Sequence, residues 1–546
     1  MKKKLIALLC MAAMSVSMLA GCGEKEEGGG SSEQTGQSSD SGSKAEESAE
    51  GQDGSAEGQD GAGEGSGLEY AELDWYLDLG ERPDMGMVND ALNEYLIEKI
   101  NTKVNMHIMG AEDYSAKVPT KLSAGENLGL VTIGSGVNYT VQAKQGAFYP
   151  MDELLETYGV GIRGLFSDDV WDTMRIDGKI YAIPILKDNC YIMNMIYNEE
   201  MAQALELDME NLEYKNWRQN EEFFTNALAL RDEKFPEHKG KPLLNDITME
   251  VPFYFGLETF LDNYVAVCNI DGINDVAGYD SNTVFNLYAT DEYREFCRMK
   301  QRMVAGGVYA YDFSNFPDSM YDGSLLATSG WGFTYINEHL YGDKFTTRLK
   351  VAENVWTDTN NYIGGGTAIS VNCENPERAM MVMELVNTDP YVATLLRFGI
   401  EGEHYLIDGD GNMTFDGSPR NSDPANRGYQ YWYGASFGNL TIVDAPESFT
   451  GPDNIMLQRI VEYNNSALLP AHMGFVLDTS SISNEIAACS NVVAEYSDTL
   501  RKGQYDTPEA VDAAIDQFNE KLKANNVDKI LEEVQAQIDA WNAANK

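Results

Sequence analysis

Leu73-Asp74-Trp75-Tyr76-Leu77, read together with the residues up to Ile133, decides the fold. The first five are apolar and aromatic enough for a strand. After a Gly/Pro-containing loop to Gly86, the residues Met87, Ala91, Leu92, Tyr95, Leu96 and Ile100 recur at helical spacing. Val104 to Ile108 alternates as a second strand, Tyr114 to Ala124 reads as a helix, and Leu128 to Ile133 as a third strand. Strand–helix–strand–helix–strand predicts a doubly wound α/β lobe that binds ligands at loops beyond its strand ends.

Further along, Asp177-Gly178-Lys179-Ile180-Tyr181-Ala182-Ile183-Pro184 is a turn feeding a strand, and Ile192 to Tyr197 a second apolar strand. Asn198 then opens a helix, with Glu199 and Glu200 in the first turn where the dipole favours them. Helical stretches at Glu221–Asp232 and Asp291–Ala305 point to a second α/β lobe. Ser324–Gly332 reads as strand then turn, Thr367–Val371 as a strand and Pro376–Val386 as a helix. Near the C-terminus, Thr507-Pro508 caps a helix carrying Val511, Ile515, Phe518 and Leu522. Asn525-Asn526 interrupts it, and Val527 to Trp541 resumes, giving a helical pair that must pack on something.

The 546 residues carry 39 Lys+Arg against 87 Asp+Glu, a formal charge of −48. So anionic a surface repels phosphate backbones, and nucleic acid is not an expected partner. The positive charge gathers at the start. Lys2, Lys3 and Lys4 precede an apolar run from Leu5 to Ala20, a signal-peptide core too short to span a bilayer. Leu19-Ala20-Gly21-Cys22 resembles a lipobox, which predicts a lipid on Cys22 after removal of residues 1–21. Residues 22–67 read as a disordered acidic tether containing two tandem copies of SAEGQDG, at Ser48–Gly54 and Ser55–Gly61. Removing the signal and the tether leaves −41 on residues 68–546.

Catalytic patterns are sparse. The histidines, His107, His238, His339, His404 and His472, are solitary, and neither a nucleophile elbow nor a Walker loop occurs. Gly364-Gly365-Gly366 precedes a strand, whereas a phosphate cradle precedes a helix. Asp408-Gly409-Asp410-Gly411-Asn412 has Met413 and Pro419 where a calcium loop requires Gly and Glu, so a hairpin turn is expected. Cys190, Cys268, Cys297, Cys373 and Cys489 are widely spaced and expected as buried thiols, with one distant disulfide as the alternative. Neither a cofactor nor a metal is expected. Thirty tyrosines and seven tryptophans, several beside turns, suit the apolar face of a sugar ring, while carboxylates and amides suit its hydroxyl rim.

Several motifs in one order resemble the extracellular solute-binding lipoproteins of bacterial ABC importers, and most closely the LipO-like sugar-binding group. They are the lipobox and tether, Asp177–Pro184 with Tyr197-Asn198, Thr328-Ser329-Gly330-Trp331, Asn375-Pro376-Glu377-Arg378-Ala379-Met380, Gly399–Tyr405, and the closing helices to Asp539-Ala540-Trp541. The resemblance implies a periplasmic-binding-protein type II-like α/β fold, two lobes on a hinge with a helical C-terminal region. Lobe 1 is expected over 68–190 with 357–400 returning to it. Lobe 2 is expected over 191–356, with 401–546 packing mainly on it.

The implied activity is capture of a carbohydrate, an oligosaccharide, in the interlobe cleft and delivery to the permease subunits, without turnover. The chain would work as a monomer, lipid-anchored on the extracellular face of the cell membrane. An oligopeptide or other small-solute receptor of the same fold is the alternative, and a surface-tethered glycosidase a more remote one. Trp331, Tyr191, Asp78, Trp75, Lys187, Asp188, Trp432 and Phe437 are the candidate ligand contacts. Arg378 and Arg397 are expected to be helix-surface charges.

Overall fold

The computed structural model describes residues 67–134, 136–191, 193–209, 212, 217–245, 255–310, 323–331, 345–350, 355–431, 437–450 and 455–545. Cys22 and the tether, with Trp432, lie outside them. Contacts divide the chain into residues 1–67 and a body, Leu68–Lys546.

The body opens with β1 (Ala71–Asp78), α1 (Met85–Ile100), β2 (Thr102–Met109), α2 (Ala111–Ser123) and β3 (Leu130–Ile133), then β4 (Ala182–Pro184). After crossing over, the chain forms β5 (Met193–Asn198), α3 (Trp217–Lys234), β6 (Leu244–Asn245), α4 (Asp291–Ala305), β7 (Tyr309–Ala310), β8 (Ala327–Trp331) and β9 (Phe345–Lys350). It returns as β10 (Gly366–Ile369), α5 (Pro376–Thr388) and α6 (Pro390–Phe398), and continues with α7 (Ile455–Ser466). Three long helices close it: α8 (Ser483–Arg501), α9 (Pro508–Ala524) and α10 (Val527–Asn545).

Two five-stranded sheets result, ordered β2–β1–β3–β10–β4 and β7–β6–β8–β5–β9. In the first, β1 runs parallel to β2 and β3, and the returning β10 lies antiparallel to β3 and β4. Each sheet has its own apolar core. Leu73, Trp75 and Leu77 from alternate positions of β1 meet Val88, Leu92 and Leu96 of α1 in the first. In the second, Phe296 of α4 joins Ile515 and Phe518 of α9. These two cores are the two lobes.

Local chemistry explains the helix starts. Asn198 accepts the Met201 N–H and thereby caps the short helix Glu199–Ala204. Thr507 accepts the Ala510 N–H at 3.2 Å, with Pro508 at the first helical position. Thr507→Ala is expected to lower stability by about 1 kcal/mol, measured as a shift in urea midpoint at unchanged slope. Cys190, Cys268, Cys297, Cys373 and Cys489 are all free and buried. Leu406–Ile407 and Met413–Thr414 pair as a hairpin whose turn is tied by Asp408 Oδ1 accepting the N–H groups of Asp410 and Asn412.

The span 401–546 is divided: the part from Phe475 onward joins the second core, whereas Tyr429, Tyr431 and Phe437 belong to the first. Between them, Tyr405, Phe415 and Met456 build a small core on Phe398 at the end of α6. Arg397 is not a surface charge. It is 2% exposed, its guanidinium stands 5.1 Å from the Phe437 ring and donates to the Phe437 carbonyl at 2.8 Å. Burial lowers its pKa to about 10. Arg378 is likewise engaged, donating to the carbonyls of Ile100 and Asn101 at the end of α1, where a cation meets the negative helix terminus.

Candidate functional site

Three segments cross between the lobes. Residues 185–191 lead from β4 toward β5, 355–365 lead into β10, and 467–475 lead from α7 toward α8. They lie side by side. Tyr191 bridges Trp356, and Trp356 bridges Leu468. The Tyr191 N–H donates to the Trp356 carbonyl at 2.6 Å, and the Thr357 N–H to the Leu468 carbonyl at 3.1 Å.

Side chains tighten this belt. Asn189, 1% exposed, donates through Nδ2 to the carbonyls of Ile185 and Asn361, and its Oδ1 accepts the Lys187 N–H. Asn464 accepts the Asn189 N–H at 2.9 Å and donates to the Lys187 carbonyl at 2.6 Å. The Thr357 hydroxyl donates to the Asn189 carbonyl, and the Gly474 N–H to the Thr359 hydroxyl. Buried backbone groups must find partners, and here several find one on another crossing segment or on α7. Beside the belt, the loops flanking β3 and β10 approach so closely that a Cβ on Gly134 would stand 2.6 Å from the Gly364 carbonyl oxygen. That backbone, at φ +126, admits only glycine readily.

On the belt sit three of the sequence candidates. The Tyr191 hydroxyl donates to Asp358 Oδ2 at 2.7 Å, and its ring lies 5.6 Å from that of Trp356. Burial raises its phenol pKa, with the Asp358 charge adding to the effect. Asp358, 5% exposed, is itself shifted upward by burial. Lys187 and Asp188 are half-buried. Asp188 Oδ1 is shielded and has no hydrogen-bond partner among the described residues, and burial against the weaker pull of Lys187 raises the carboxyl to about 7.

The remaining candidates separate. Asp78 ends β1, half-buried at the strand's C-terminal edge, where α/β sheets bind ligands. Trp75 and Phe437 do not reach that edge. They are 1% and 3% exposed and meet edge-on at 5.7 Å, so neither ring offers a free face and both support the lobe-1 core. Trp331 is the last residue of β8, opposite Met193 of β5; its side chain lies outside the described set, as does all of Trp432.

Sequence reasoning passed over Trp356, Thr357, Asp358 and His472. The run Trp356-Thr357-Asp358-Thr359, four residues ahead of the glycine triplet, was the available signal. His472 is fully buried, and its Nδ1 lies 2.8 Å from Glu258 Oε2. Burial raises the Glu258 carboxyl, opposed by His472. The imidazole meets the rings of Phe260 and Trp541 edge-on at 5.9 and 6.0 Å, locking the third crossing to lobe 2 and to α10.

Among the described residues no group of three or more His, Cys, Asp or Glu could hold a metal ion. The belt offers carboxylate and phenol groups at a junction of two bodies, a chemistry of hydrogen bonding to hydroxyls.

Comparison with known proteins places this architecture. A profile described as a bacterial extracellular solute-binding protein matches residues 90–399, and one for a domain of unknown function matches 471–543. A carbohydrate ABC transporter substrate-binding protein of Streptococcus pneumoniae is 24% identical over 489 residues, 85% of this chain and 89% of its own. The crystal structure of the N-glycan transport solute binding protein of the same species superposes with TM-score 0.68 at 20% identity, over 87% of this chain and 100% of that one. The S. pneumoniae ABC-transporter substrate binding protein FusA in complex with kestose gives 0.54 at 13% identity, over 88% and 100%. These structural likenesses establish the fold, the two-lobed type II architecture expected from the sequence.

Proposed function

The chain belongs to the family of bacterial extracellular solute-binding proteins, and from that premise we propose that it captures an oligosaccharide between its lobes and hands it unchanged to an ABC permease. The observation that carries this reading is the three-stranded belt with Lys187, Asp188 and Tyr191 half-buried on it. Ligand groups bound there touch a region that both lobes share, so their binding energy can favour a closed arrangement over an open one. Asp188 and Asp358 accept from sugar hydroxyls, Lys187 donates to ring or linkage oxygens, and Asp78 reads the saccharide from the lobe-1 edge. The solute-binding relatives whose names or bound molecules are carbohydrates support the ligand class. The lipid on Cys22 and the acidic tether hold the body outside the cell.

A thermal-shift screen with Man1GlcNAc, Man5GlcNAc, kestose and oligopeptides tests the ligand class. A saccharide at a hundred times its dissociation constant should stabilise the protein by roughly 2.7 kcal/mol. Stabilisation by peptides alone would replace carbohydrate with the peptide reading. Mass spectrometry of the recovered saccharide should show it uncleaved; shortened products would make the protein a glycosidase.

A further inference from the structure

The segment 400–431 lies against the loop that follows β1 and that begins immediately beyond Asp78. Five contacts hold that loop. The Tyr431 hydroxyl donates to the Gly80 carbonyl. Arg82 Nε donates to the Gln430 carbonyl at 3.1 Å, and its guanidinium lies over the Tyr431 ring at 5.0 Å. The Asp84 N–H donates to the Gly428 carbonyl at 3.1 Å. Arg420 then joins both sides, Nη1 to Asp84 Oδ1 at 2.9 Å and Nε to Glu403 Oε2 at 3.1 Å.

The approach is close enough to restrict sequence. A Cβ on Gly428 would stand 1.9 Å from Asp84 Oδ2. Beneath it, His404 is fully buried; its Nδ1 accepts the Ile400 N–H, which places the ring proton on Nε2, 3.4 Å from Asp84 Oδ2. The clamp itself is anchored, since Tyr429 is 1% exposed, donates to the Leu396 carbonyl of α6, and is gripped at both backbone groups by Asn421. A wall fixed to lobe 1 therefore fixes the rim of its binding edge. Glu81 and Arg82 are exposed on that rim, so without the wall the loop would be free to sample other conformations.

We propose that Arg420 is a positioning residue for ligand capture, holding the loop 80–84 in its binding conformation without touching the ligand. The proposal rests on the carbohydrate reading above. Preorganisation of a loop gains affinity by removing the ordering cost from the binding step. Arg420 acts through partly exposed charges, and its effect is therefore sensitive to salt, whereas direct hydrogen bonding to a neutral saccharide is not.

The test is calorimetric titration of the mature lipid-free chain with Man5GlcNAc, for wild type, Arg420→Gln and Arg420→Lys, together with amide hydrogen exchange. Arg420→Gln should raise the dissociation constant roughly 2- to 12-fold, and Arg420→Lys by less. Exchange should quicken at residues 80–84 while the midpoint of thermal unfolding stays within a few degrees. At about 1 M NaCl, where screening acts over roughly 3 Å, wild-type affinity should fall toward that of the variant, and the variant's should stay put. Should Arg420→Gln unfold the segment, Glu403→Gln breaks the other arm of the same clamp and should give the same pattern. Wild-type binding with equal affinity in the variants overturns this inference alone. A wild type that binds no saccharide overturns the carbohydrate reading, and the inference with it, even if exchange at 80–84 responds.

Discussion

Replacing His472 with alanine is expected to destabilise the folded body by about 3–5 kcal/mol, the penalty for stranding one member of a buried polar pair. The imidazole is fully buried and stands 2.8 Å from a Glu258 side chain only 5% exposed. Removal leaves that carboxylate desolvated, and also leaves a void between Phe260 and Trp541. The sign of the pH dependence follows from Glu258, whose carboxyl is raised by burial and lowered by His472. A raised carboxyl contributes stability that is complete below its unfolded pKa and is lost as pH rises through its folded pKa. Loss of His472 raises it further, so the deficit should be larger at pH 8 than at pH 5. Urea unfolding at both values measures it, and adding Glu258→Gln should restore part of the loss. A deficit below about 1 kcal/mol, typical of an ordinary substitution, would show that the pair does not hold the third crossing to lobe 2.

Asp188→Asn is expected to have the opposite sign. The Asp188 carboxyl, raised to about 7 against an ordinary 3.8, keeps its proton more tightly in the folded than in the unfolded chain. Its contribution to stability is therefore present below the unfolded value and disappears as pH climbs through about 7. Asparagine preserves the shape and cannot ionise. The variant should match wild type near pH 4 and exceed it at pH 8 by roughly 1–3 kcal/mol, less than the bare shift implies because the residue is only half-buried. The same substitution should weaken saccharide binding roughly 10- to 100-fold if the carboxylate accepts a hydroxyl. Stability given up at a binding group is the expected pattern for a functional residue. Parallel stability curves for the two proteins between pH 4 and 8 would remove Asp188 from this role.

Much of this was legible in the sequence, for a physical reason. The elements β1 to α2 obey short-range rules, alternation in Leu73–Leu77 and helical spacing from Met87 to Ile100. The caps at Asn198 and Thr507 are purely local chemistry. The site depended on contacts far apart in the chain. Trp75 was a candidate ligand contact from its place in the first strand, and only Phe437, met edge-on from a distant segment, makes it core. Arg397 looked like a helix-surface charge because nothing local signals the carbonyl of Phe437. The third crossing was invisible for the same reason. Leu468 and His472 acquire meaning only beside Trp356 and Glu258.

The account requires the lobes to move together when a saccharide binds. Pulsed electron-electron resonance between labels at Lys117→Cys on α2 and Glu222→Cys on α3, both exposed and one on each lobe, reads that motion, because the five native thiols of the body are buried. Saturating Man5GlcNAc should shorten and narrow the distance distribution, with the sugar recovered whole. An unchanged distribution with the saccharide demonstrably bound would contradict capture between the lobes.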